Sequence, residues 1–111
     1  PPQDRKILSD YYNASDLCIF PSKTEGFPLV PREALSCGTP ALVSDITGLR
    51  MIEPAIKSPL IAEEFDKRLK QFFRMSPKEI KFLSSKSTDF ILNECSYEVC
   101  KNLYINKLLN L

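Results

Sequence analysis

Leu17 to Asp45 reads LCIFPSKTEGFPLVPREALSCGTPALVSD. Its first four residues are a continuous apolar run between Asp16 and Pro21, the pattern of a short strand buried on both faces. Ser22 to Gly26 is a polar loop. A helix then starts at Pro28 or Leu29 and runs to Cys37. Pro28 and Pro31 fit only near its first turn, where a missing N–H costs little. Gly38 suits the position just past the helix, and Pro40 stops it. Ala41-Leu42-Val43 is a second buried strand, ending in Ser44-Asp45. Strand, helix, strand with short links is the unit of a parallel sheet, and open parallel sheets bind ligands at the carboxyl ends of their strands. Here those ends are Pro21 to Gly26 and Ser44 to Gly48.

Reading outward, Ile7, Leu8, Tyr11 and Tyr12 recur at helical spacing, so a helix is expected over Asp4 to Asn13, capped by Asp4 or Gln3. After Gly48, Leu49 to Ile56 reads as a short helix stopped by Pro54, and Pro59-Leu60-Ile61 as a brief last strand. Glu63 to Arg74 is amphipathic, with Phe65, Leu69, Phe72 and Phe73 on one face. Ser76-Pro77-Lys78-Glu79 is a capping box with Pro at the first helical position. Its helix turns Ile80, Leu83, Phe90 and Ile91 inward, and Ser96 caps a final helix to about Leu109. The expectation is an α/β fold: a partial Rossmann-like parallel sheet with flanking helices and a helical C-terminal tail, one domain over residues 1–111.

Composition narrows the chemistry. The chain has 111 residues, a net charge of +1, no His and three Gly. That overall balance gives no electrostatic reason to expect nucleic acid or an anionic membrane as the main partner. The absence of His removes Ser-His-Asp and Cys-His nucleophile systems and His-metal sites. The three Gly, at 26, 38 and 48, are too far apart for a G-x-G-x-x-G fingerprint. Cys18, Cys37, Cys95 and Cys100 form no C-x-x-C pair, so we expect free cytosolic thiols, with Cys18 and Cys37 as small buried hydrophobes. No run of 18 apolar residues is present, as a membrane span would need. The chain begins Pro1-Pro2-Gln3, and we expect it to be cut from something longer.

The turn between the first strand and its helix carries the functional signal. A helix N-terminus offers unpaired N–H groups and the positive end of a dipole, which suits phosphate. Gly26 lets a ligand approach the backbone closely. Glu25 precedes the helix, and Glu33 lies about one turn inside it with its side chain leaning back towards the N-terminus. Carboxylates repel phosphate but accept hydrogen bonds from sugar or ribose hydroxyls. Phosphate on amides with hydroxyls on two carboxylates describes a nucleotide sugar. The bland alternative stands beside it: strand–Gly–helix turns recur without ligands, and the dipole alone favours Glu early in a helix. Lys23 and Arg32 read as solvated charges beside the turn. Tyr11, Tyr12 and Tyr104 read as half-buried packing. Phe65, Phe72, Phe73, Phe82 and Phe90 read as core or interface, and Lys78, Lys81 and Lys86 as solvent-facing charge.

Asp16 to Asp45 resembles the C-terminal half of the nucleotide-sugar domain of group 1 retaining glycosyltransferases of the GT-B fold. The matching residues are Ala14-Ser15-Asp16-Leu17, Phe20-Pro21-Ser22, Glu25 to Val30, Glu33 to Pro40, and Ser44-Asp45. The family's Glu-x7-Glu pair falls on Glu25 and Glu33, and Ser96-Tyr97-Glu98 resembles the start of its last helix. The resemblance implies that Glu25 is the catalytic-site carboxylate facing the donor sugar, and that Gly26, Phe27 and Pro28 contact sugar hydroxyls. It also implies that the amides of Leu29 and Val30 hold the diphosphate, and that Glu33 binds the ribose. Transfer would retain configuration and need no cofactor and no metal, the nucleoside diphosphate sugar being the donor substrate. The acceptor, a glycan or lipid-linked hydroxyl, would bind through an N-terminal domain this chain lacks, so the isolated chain is expected to be inactive. Nucleic acid is not expected as a partner. The setting implied is cytoplasmic, peripheral at the inner face of a membrane in the longer protein. Self-association is expected through a sheet edge exposed where further strands would pair. Two departures matter. The position six after Asp45, a family Glu, holds Met51, with Glu53 read as a surface residue. The family's last strand is reduced to Ser58-Pro59-Leu60-Ile61. The alternative is therefore a non-catalytic α/β interaction module with a vestigial sugar-nucleotide site.

Overall fold

The computed structural model describes residues 5–24, 26 and 28–94. The elements are α1 (Arg5–Ala14), β1 (Cys18–Phe20), α2 (Leu29–Ser36), β2 (Ala41–Ser44), α3 (Thr47–Arg50), β3 (Ile56–Ser58), α4 (Ala62–Phe73) and α5 (Pro77–Glu94). The three strands form one parallel sheet in the order β1-β2-β3. Cys18 pairs with Ala41, and Leu42 with Ile56. The α/β class and the parallel sheet with flanking helices expected from the sequence are thus present. The final helix expected from Ser96 lies outside the described residues, as do Cys95, Cys100, Tyr104 and the capping residues Gln3 and Asp4.

β2 is central and buried at every residue. Its inward side chains join Leu35, Leu49, Ile52 and Ala55 in one core, against which Cys18, Phe20, Ile46, Phe90 and Ile91 pack. Leu35, Leu42, Leu49 and Ile52 are almost fully removed from water, and each such burial stabilises the fold by about 1.5–3 kcal/mol. α5 crosses the back of α2, which explains why Phe90 and Ile91 reach this core from the far end of the chain.

Several expectations are corrected. Among the described residues β1 lies at the sheet edge, and its expected burial on both faces fails at Ile19, which is 48% exposed; a continuous apolar run does not show that both faces are covered. Cys18 and Cys37 are free but only half-buried. The helix expected over Leu49 to Ile56 is the single turn α3, followed by turns to Ala55. The last strand is Ile56–Ser58 and not Pro59 to Ile61. Pro59 has no N–H for the ladder, and Ile61 instead caps α4. Lys57 is tolerated in β3 because its Nζ folds back to the carbonyls of Ile52, Glu53 and Ala55 at 2.8, 3.1 and 3.1 Å. Burial pushes the Lys57 ammonium below its usual pKa, against the pull of Asp45 and Glu53. On α4 only Phe72 is fully buried, while Phe73 is 65% exposed. Tyr11 is exposed as well.

Local signals account for the ends of the other elements. The Ser76 box is closed in both directions: the Ser76 amide donates to Glu79 Oε1 and the Glu79 amide to Ser76 Oγ. Gly38 sits at φ +80°, the left-handed position that ends α2. Arg68–Glu64 and Lys70–Asp66 are one-turn ion pairs on α4. No helix among the described residues is long and apolar enough to cross a membrane.

Candidate functional site

β1 ends at Phe20 and α2 begins at Leu29, so the intervening turn lies at the carboxyl edge of the sheet. Ser22 Oγ donates to the Thr24 carbonyl, folding the turn on itself. Glu25 and Phe27 lie outside the described residues. Gly26 is exposed, and a Cβ built there meets nothing within 4 Å. Packing within the described residues therefore does not demand the glycine.

Pro28 caps α2 in an extended conformation and makes no side-chain cap bond to this end. Four backbone positions at a helix start have no intrahelical acceptor for their N–H. Two of them here, Pro28 and Pro31, have no N–H to offer, which leaves the adjacent amides of Leu29 and Val30. Both residues are partly exposed, at 36% and 42%.

Arg32 departs from its expectation as a solvated charge. It is 6% exposed. Nη1 donates to the Pro28 carbonyl at 3.0 Å, and Nη2 pairs with Glu94 Oε1 at 3.0 Å. The guanidinium thus ties the start of α2 to the end of α5. A cation near a helix start stands against the dipole. That was the available hint that a carboxylate elsewhere neutralises it.

Glu33 is half-buried on α2. The Tyr12 hydroxyl donates to its Oε2 at 3.2 Å. Tyr12 is held in turn by Thr39, whose hydroxyl donates to the Tyr12 carbonyl at 2.5 Å. Burial, then the Glu33 charge and this hydrogen bond, push the Tyr12 phenol up to about 12. Tyr12 is therefore a neutral donor orienting one carboxylate oxygen at ordinary pH. Helical spacing alone assigns Tyr12 a packing role, because nothing local links residues 21 positions apart. Cys18 lies close by, with its thiol pushed up by burial.

The second strand end is built from Ser44 and Ser58, both fully buried. Ser44 Oγ reaches the Phe20 carbonyl at 3.5 Å, and the Asp45 amide donates to the Ser58 carbonyl at 2.7 Å. These contacts fasten all three strands at the carboxyl edge. Asp45 is engaged by Arg50 at 2.8 Å, in an exposed pair. Met51 is 70% exposed, and Glu53 is a surface residue as expected. An open groove of about 320 Å³ lies elsewhere, between Glu53, Pro54 and the Lys86, Asp89, Phe90 and Asn93 face of α5. It contains none of the residues of the turn.

Residues 1–79 match the family model of glycosyl transferases group 1. The chain belongs to this family. Among curated proteins the chain is similar to a D-inositol 3-phosphate glycosyltransferase of Xylanimonas cellulosilytica, 44% identical over 52 residues, covering 47% of this chain and 12% of that protein. The protein of the same description in Rhodococcus erythropolis is 51% identical over 49 residues, covering 44% and 11%. Each alignment thus spans only about an eighth of its relative. Two solved structures share the fold. Sucrose-phosphate synthase from Thermosynechococcus elongatus superposes with a TM-score of 0.78 at 24% identity, covering 98% of this chain and 29% of that one. The N-terminal domain of Candida albicans trehalose-6-phosphate phosphatase superposes with a TM-score of 0.77 at 19% identity, covering 99% and 25%. The group 1 resemblance and the GT-B-type sheet read from the sequence are borne out.

Proposed function

We propose that the chain is the C-terminal portion of a GT-B nucleotide-sugar-binding domain and supplies the donor side of a retaining sugar transfer to a hydroxyl acceptor. The observation that carries this reading is the arrangement of α2. Its start has two adjacent amides, Leu29 and Val30, flanked by prolines, and one turn on Glu33 has its carboxylate oriented by Tyr12. On this reading the amides take the diphosphate, Glu33 takes the ribose hydroxyls, and Glu25 with Gly26, Phe27 and Pro28 faces the sugar. Gly26 would be a glycine because a side chain there would stand in the donor's way. The amides need no reorganisation as charge grows on the leaving diphosphate, the situation in which fixed dipoles lower a barrier most. No metal or cofactor is needed in this scheme. The acceptor binds to a part of the protein outside this chain, so the isolated chain is inactive as a transferase.

The test is ligand-observed NMR with UDP-glucose, GDP-mannose and free sugar, on the parent chain and on Glu33→Ala. The reading requires binding that depends on the diphosphate and weakens about tenfold or more in the variant, the scale of a lost charge-assisted hydrogen bond. Equal binding by parent and variant would falsify the assignment of Glu33.

Met51 favours a second reading, an interaction module with a vestigial site, because an exposed thioether stands where the resemblance places a carboxylate. Met51→Glu separates the two. Gain of donor binding by this variant over a silent parent supports the vestigial reading.

A further inference from the structure

The chain's net charge of +1 conceals an uneven distribution. Residues 67–86 contain seven Lys and Arg and one acid, Glu79. Arg68 and Lys70 are paired with Glu64 and Asp66 on α4. Lys67, Arg74, Lys78, Lys81 and Lys86 are exposed, and none has an acidic partner within 4 Å among the described residues. The one acid in the stretch is used locally, because Glu79 Oε1 accepts the Ser76 amide in the capping box.

Apolar side chains are exposed along the same stretch of sequence. Phe73 and Phe82 are 65% and 64% exposed. Met75, Phe82 and Leu83 line a shallow trough of about 400 Å³ with Lys78 and Glu79. Lys78, Phe82 and Lys86 follow one another at one-turn spacing, and the Lys86 ammonium sits 5.3 Å above the Phe82 ring. The elbow leading into α5 therefore presents Phe82 between two cations, Lys78 and Lys86, whose stems are apolar.

We propose that this elbow docks on an anionic bilayer surface, with Phe82 entering the headgroup region and Lys78, Lys81 and Lys86 meeting lipid phosphates. Charge complementarity selects an anionic partner. Exposed apolar side chains between long cationic ones suit an interface that is apolar below and ionic above. A single-stranded nucleic acid fits less well, since it needs open ring faces for stacking, and the Phe82 face carries the Lys86 ammonium. A surface charge near an anionic leaflet contributes about fivefold in affinity per Lys.

The test is flotation of the 111-residue chain with vesicles of phosphatidylcholine alone or mixed with phosphatidylglycerol, at low and high salt. Binding is expected only with phosphatidylglycerol and weakens with salt. The triple variant Lys78→Gln/Lys81→Gln/Lys86→Gln should lose on the order of a hundredfold in affinity, while Arg50→Gln, on α3 and outside this patch, should not. Circular dichroism verifies that the triple variant is folded. Phe82→Trp is an independent reading, because the parent has no Trp: its emission should shift to the blue with phosphatidylglycerol vesicles. Equal flotation on both vesicle types, no effect of the triple variant, or no emission shift overturns the proposal. So does stronger binding to a single-stranded RNA oligonucleotide than to vesicles, which would assign the cations to nucleic acid.

Discussion

The Ser84 hydroxyl on α5 donates to the carbonyl of Gly38 at 2.5 Å, and the same oxygen would lie 2.9 Å from a Cβ placed at residue 38. One contact thus ends α2 and seats α5 upon it. Gly38→Ala should therefore be costly twice over, through its left-handed φ and through the clash, by about 2 kcal/mol in all. Ser84→Ala removes the hydrogen bond but makes room. In urea denaturation the double variant should lose less than the sum of the two singles.

Arg32 and Glu94 give a second prediction. Their ion pair joins α2 to α5 with the guanidinium side chain 7% exposed. Removing one partner strands the other, so Arg32→Ala should cost about 3 kcal/mol. Arg32→Met with Glu94→Leu should restore most of that loss, because apolar packing can replace a buried pair. Thermal melts of the two singles and the double provide the comparison. Additive losses in the double would show that the pair is not coupled.

Tyr12 yields a pH dependence. Its phenol titrates at about 12 in the folded chain against 10.0 when unperturbed. Between these values the unfolded state has released a proton that the folded state retains, so stability falls as pH rises through this window. In an alkaline absorbance titration, one of the four tyrosines should ionise last. Tyr12→Phe should abolish that late step and flatten the stability loss.

Ile19 concerns the open side of β1. Edge strands with exposed apolar side chains pair with other chains. The isolated chain should self-associate in light scattering, and Ile19→Lys should shift it towards monomer. A parent chain that stays monomeric at high concentration refutes this.

The features readable from the sequence are those set by neighbours in the chain. Pro28, Pro31, Gly38 and the Ser76 box marked helix ends through donors and φ angles that each residue determines for itself. The exposure of Ile19 did not follow, because burial of a strand's face depends on which distant segment packs over it. Lys57 disguised β3, since a lysine in a three-residue strand is acceptable only when carbonyls at 52, 53 and 55 happen to receive it. Around the candidate site, the helix start near Leu29 and the place of Glu33 one turn inside it were legible from the residues. The Tyr12 contact and the engagement of Arg32 were not, because both partners come from distant segments.

The order β1-β2-β3 has a consequence for synthesis. Each strand lies in space beside the one made just before it. As the chain leaves the ribosome, every new strand meets an edge already present, and none must wait for a later segment to be inserted between its neighbours. The sheet can grow in one direction, residue number by residue number, from β1 through β2 to β3.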